Sequence, residues 1–178
     1  VQITSFCQES EQQKKDKKRS TRNETLIQSP CQFEKDEIDE FTGEHIIITT
    51  PEILQGNIKG NILFCRIGKI DNALALYFEV FKHDIFSMNG GEEILFKLTN
   101  DSIITLYNAH DFQVADHKLD VLDLWNLSFF SLLDEDMINT LLKYGIKMCR
   151  IYTSETFIDF TLQPEHYNNI QKLLKCVL

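Results

Sequence analysis

Glycine and proline are scarce, 7 and 3 in 178 residues, which argues against a loop-dominated or fibrous chain. No apolar stretch reaches 18 residues, so no segment reads as a membrane-spanning helix. The five cysteines, Cys7, Cys31, Cys65, Cys149 and Cys176, form no CxxC and no Cys/His pair at zinc-ligand spacing. GxSxG and HExxH are missing, as are a P-loop and GxGxxG. The stretch "NGGEE" lacks the lysine and the following helix that phosphate binding needs. Trp125 is the only tryptophan, and "LWNLSFF" around it reads as core, not as a sugar-stacking platform. No cofactor is expected, and an enzyme is the less favoured class.

Positive charge is also in short supply. Lys+Arg number 18 against 27 Asp+Glu, a net of −9, and the balance is uneven. Residues 1–30 hold six basic and four acidic residues, whereas 31–178 hold twelve and twenty-three, a net of −11. An acidic body repels phosphate backbones and anionic lipid, so nucleic acid and membrane surfaces are poor partners. The run "KKDKKR" (14–19) is read as solvated tail.

What is present is ordinary globular material: 43% hydrophobic residues, 25% charged, and 13 Phe. Residues 8–30 have almost no apolar content and end at Pro30, so 1–30 is read as a flexible polar leader. A single domain is expected over 31–178. A lysine-rich leader ahead of a compact domain is what often follows a cleaved export signal, so a periplasmic or secreted location is expected. Cys7 and Cys31 bracket the leader and could pair in an oxidising compartment. Cys65 and Cys149 sit in strand-like runs and read as small hydrophobes.

From residue 31 the signal is mostly period two. "HIIITT" (45–50), "NILFCRI" (61–67), "ALALYFEVF" (73–81), "EILFKL" (93–98), "SIITLYN" (102–108) and "NLSFFSL" (126–132) are strand candidates. Leu74, Leu76, Phe78 and Val80 share one face, opposed by Ala73, Ala75, Tyr77 and Glu79. Short connectors suggest an antiparallel meander. "DEDMINTLLKYG" (134–145) reads as a helix with Asp134 as N-cap and Gly145 beyond its end. "IKMCRIYT" and "TFIDFTL" follow as a hairpin, and a second helix starts from Pro164. The fold expected is α+β: a meander sheet with a C-terminal helix–hairpin–helix, its helices covering one sheet face.

Two segments could carry chemistry. "KDEIDEFTGEH" (35–45) packs five carboxylates and a histidine around Ile38 and Phe41. Its acids do not follow calcium-loop spacing, and neighbours along a strand point to opposite faces. It is read as a turn pinned by a buried Phe41, with Gly43 reversing the chain. "NAHDFQVADHKLDVLD" (108–123) offers the best metal-ligand mixture, with His110, Asp111, Asp116 and His117 as candidates. HD…DH is not a recognised ligand arrangement, and long polar loops collect such residues by default. Loops are also where function concentrates. His166, early in the last helix, is read as solvated.

The order "CQFEKDEIDEFTGEH", a β-rich middle, then "LLDEDMINTLLKYGIKMCRIYTSETFIDFTLQPEHYNNIQKLL" resembles small exported proteins of unknown function from Gram-negative gut bacteria. The resemblance covers roughly residues 31–178. It implies an α+β domain outside the cytoplasm, and no functional residue is carried over from it. Three functions are therefore weighed. The first is an exported non-enzymatic domain binding a partner or ligand through one sheet face or the 109–123 loop. The second is an acidic immunity- or inhibitor-type protein against a basic partner. The third is a metal-dependent hydrolase using the 110–117 loop.

Overall fold

In the computed structural model the described residues are 31–56, 60–115, 117–119 and 123–178, the side chains of residues 117 and 119 excepted. The expected leader, 1–30, lies outside them. Of the described residues 53% are strand and 15% helical, which overturns the α+β expectation: the protein is mostly β.

The larger sheet contains β1 (Phe33–Ile38), β2 (His45–Thr49), β3 (Glu52–Gly56), β4 (Ile62–Ile70), β5 (Ala73–Lys82), β10 (His117–Leu119) and β11 (Leu124–Leu133). Its order is β1-β2-β4-β5-β11-β10, all antiparallel, with β3 also pairing β4. A four-stranded sheet is ordered β13 (Phe157–Thr161), β12 (Ile146–Tyr152), β7 (Glu93–Leu98), β8 (Ile103–Tyr107). A two-stranded ribbon joins β6 (Ser87–Met88) to β9 (Gln113–Val114).

The expected single meander fails after β5. Its free edge is taken by β11, with Leu127 opposite Val80 and Phe129 opposite Phe78. β7 instead pairs with β12, Ile94 opposite Ile151 and Phe96 opposite Cys149. The C-terminal hairpin, β12–β13, is thus half of the second sheet. Alternating apolar residues say which face of each strand is inward, but not which neighbour takes its edge.

The core lies between the two sheets. Phe78 stacks on Phe129 at 5.1 Å within the larger sheet and meets Phe96 of the smaller one at 6.0 Å. Leu76, Val80, Ile94, Leu98, Ile151 and Phe160 are all buried in the same cluster. Cys65 and Cys149 belong to it too, and burial pushes both thiols well above their ordinary range. They are inert packing groups.

Helix α1 (Glu135–Lys143) begins at Asp134, whose Oδ1 accepts from Met137 N at 2.7 Å. Gly145 is needed for space: a Cβ there would come within 2.9 Å of the Tyr167 carbonyl oxygen. A 3₁₀ turn, Pro164–His166, precedes α2 (Asn169–Val177). Helix α2 packs on α1 and on β2, β3 and β4. The layer opposite the central strand β5 is therefore sheet, and the helices do not cover a sheet face as expected. Asn169 Nδ2 donates to the Ile53 carbonyl at 2.8 Å, and Lys69 Nζ to the Val177 carbonyl at 2.8 Å, tying the helix to the sheet.

β2 and β3 run along the same neighbour, β4, and are separated at Thr50–Pro51. The buried Thr49 hydroxyl accepts from Ile67 N at 2.9 Å across that break, which keeps a core amide satisfied. Cys31 is bonded to Cys176, 145 residues away, so the thiol expected to pair with Cys7 is taken by the last helix. The bond joins the start of β1 to the end of α2.

Candidate functional site

The first segment singled out, 35–45, is a hairpin whose turn satisfies itself. Asp39 Oδ1 accepts from Phe41 N and Thr42 N, both at 2.8 Å. Asp39 N donates to the Glu44 carbonyl and Gly43 N to the Asp39 carbonyl, both at 2.8 Å. Gly43 has φ 76°, the left-handed geometry glycine adopts without strain. Backbone donors from Thr42 and Phe41 hold the Asp39 carboxyl below its ordinary range. Asp36 Oδ1 lies 2.7 Å from His45 Nε2 across the strands.

Phe41, expected to be buried and to pin the turn, is 99% exposed. The correction has a simple cause: the Asp39 side chain and Gly43 build the turn, so no apolar anchor is needed. Ile38 is likewise 67% exposed.

The second segment leads to a cleft. After β8 the chain passes the edge of β11, where Ala109 N donates to the Phe130 carbonyl at 2.8 Å. The His110 ring then meets Phe130 edge-on, with centroids 5.8 Å apart. Phe129 faces the core, so Phe130 faces outward, in line with Tyr77 and Arg66 on the neighbouring strands. This refines the reading of "LWNLSFF" as core. Phe129 is core, whereas Phe130 is part of an outer aromatic surface with Tyr77, 5.4 Å away.

Arg66 is held across this surface. Its Nη1 lies 2.7 Å from Glu34 Oε2, its Nη2 lies 3.4 Å from Glu79 Oε1, and its guanidinium sits 5.9 Å from the Tyr77 ring. The Tyr77 ring leans over Gly68, where a Cβ would meet Tyr77 Cε2 at 2.6 Å. Gly68 thus lets the ring lie flat against the sheet.

Two cavities adjoin here and share Gln113 and Ser128. One, of about 250 Å³, is lined by Arg66, Tyr77, His110, Gln113, Ser128 and Phe130 among others. The other, of about 300 Å³, is lined by Gln113, Val114, Asn126, Leu127 and Ser128. Gln113 Oε1 and Asn126 Oδ1 are both buried with no hydrogen-bond partner. Gln55 Oε1 and Glu92 Oε2 are also unpaired, but they line neither cavity. A buried acceptor left without a partner costs about 1–3 kcal/mol, so two that no protein donor reaches, at residues lining adjoining cavities, call for a donor from outside the chain.

Of the metal-ligand candidates, His110 lies in the cleft against Phe130 and Asp111 is exposed beside it. The backbone of His117 pairs with Asn126, while its side chain and the whole of Asp116 lie outside the described residues. Among the described residues no three His, Cys, Asp or Glu side chains gather where they could hold a metal ion. Sequence reasoning singled out this stretch for its histidines and aspartates, and the cleft is lined mainly by other residues. Arg66, Tyr77, Gln113, Asn126 and Phe130 were missed, and the one available signal was their position on the strand face opposite the core.

Comparison with protein-family models, curated proteins and solved structures found no match to this chain.

Proposed function

We propose that this is an exported, non-enzymatic domain that binds a ligand on the outer face of its larger sheet, where the 109–115 segment crosses β11. The observation that carries the reading is the pair of unpaired amide oxygens, Gln113 Oε1 and Asn126 Oδ1, at adjoining cavities beside an aromatic floor. Amides and aromatic rings are the usual recognition groups of a binding pocket, and they make up much of this lining. The Cys31–Cys176 disulfide weakly fits an oxidising compartment. The likeness to small exported proteins favours the same location.

The test has two arms. A fragment library screened by NMR should give hits whose shifts centre on Tyr77, Phe130 and Gln113. A panel of ester, phosphate, glycoside and peptide substrates should show no turnover by the purified chain. Hits scattered away from the cleft, or sustained turnover, would contradict the proposal.

The inhibitor-type reading has an observation of its own. Phe41 stands fully exposed on a rigid turn beside Glu40 and Glu44, an apolar point within negative charge. A basic partner bound there would dissociate in moderate salt, and Phe41→Ala would weaken it. A neutral or acidic partner would exclude this reading.

A further inference from the structure

The cleft has a chemistry narrow enough to name a ligand class. Its unpaired groups are acceptors, Gln113 Oε1 and Asn126 Oδ1, so a fitting ligand brings donors. A carboxylate or phosphate would bring more acceptors. Arg66, the cation beside the floor among the described residues, already faces two carboxylates, Glu34 and Glu79. Residues 31–178 also carry a net of −11, a field that disfavours anions. The floor is apolar on one side, where Tyr77 and Phe130 lie 5.4 Å apart at 31°. Ser128 joins both cavities and is exposed, adding a hydroxyl that donates or accepts.

A ligand that matches all of these has a flat apolar face, carries several hydroxyl donors and has no negative charge. We infer that the cleft binds a neutral disaccharide, one ring resting its C–H face on Tyr77 and Phe130 while hydroxyls further along β11 reach the Gln113 and Asn126 amides. This rests on the binding reading above. The glutamates that hold Arg66 keep its guanidinium beside the Tyr77 ring, where it can donate to ring or glycosidic oxygens at the rim.

The experiment is a calorimetric titration of the full chain with maltose, lactose, mannobiose and chitobiose, with adenosine and choline as comparison probes. At least one disaccharide is expected to bind, and adenosine and choline are not. Gln113→Leu and Asn126→Leu should each weaken that sugar at least tenfold, and Tyr77→Ala should abolish measurable binding. Circular dichroism and melting of each variant separate lost binding from lost fold. The rescue variant Tyr77→Phe keeps the ring and should bind the sugar within about threefold of the parent chain. Adenosine or choline binding that the same variants weaken would overturn the sugar assignment and leave the cleft as the site. No binding by any of the six probes, while the fragment library still marks the cleft, would also overturn the sugar class. Silence from both would overturn the binding reading as well.

Discussion

The two segments that stood out for their carboxylates and histidines behave in opposite ways. In 35–45 the Asp39 carboxylate, the Thr42 hydroxyl and the turn amides find partners within the hairpin. In 108–115 the chain is drawn across the edge of β11, and at the cleft it forms two amide oxygens end without partners. The difference teaches that polar density is a poor guide to a site. Satisfied polar groups stabilise a turn; unsatisfied ones mark a place where something else can bind.

The largest way to press on this contrast is at the foot of the hairpin. Replacing Cys31 and Cys176 by Ser opens the 145-residue closure. It should lower stability by about 2–5 kcal/mol, measured by urea unfolding. Hydrogen exchange should rise first in β1 and α2 and last in β5 and β11, which the core cluster holds.

Next is Asp39→Ala, which removes the acceptor for two turn amides. A small loss of stability in urea unfolding is expected, less than for the disulfide, as for other side-chain caps of backbone donors. The same carboxylate gives a pH test. Its folded value lies below the ordinary one, so its contribution is full above the ordinary carboxylate range. That contribution is lost as pH falls through the depressed folded value. Protection factors at the Phe41 and Thr42 amides, corrected for the intrinsic pH dependence of exchange, should therefore fall on acidification, and Asp39→Asn should remove that fall.

Smallest is Phe41→Ala. With the ring wholly exposed, the change should stay within about 0.5 kcal/mol, as surface substitutions do. A loss of a few kcal/mol in the isolated chain would mean that the ring is buried after all and that the turn is pinned as the sequence first suggested.

Much of the local structure was legible. Alternation at Leu74, Leu76, Phe78 and Val80 marks the inner face of β5, and Asp134 caps α1 as its position implies. Strand partners were not legible, because the inward faces of β7 and β11 are equally apolar and either could have followed β5. The cleft was hidden for a related reason. Arg66 and Tyr77 lie on the β4–β5 hairpin and Asn126 and Phe130 on β11, far along the chain, and only the pairing of β5 with β11 brings them to one surface. Gln113 sat inside the segment that was noticed, overshadowed by His110 and Asp111. A missing hydrogen bond leaves no trace in composition or spacing.

The central claim is that no protein donor reaches the Gln113 and Asn126 acceptors, and melting of the Gln113→Leu/Asn126→Leu double variant tests it most directly. If the acceptors are unpaired, removing them should leave the melting temperature unchanged or raise it by a few degrees, since about 1 kcal/mol corresponds to roughly 2–8 °C in chains of this size range. A fall of similar size would show that the amides were already bonded, and the account of the cleft would be wrong.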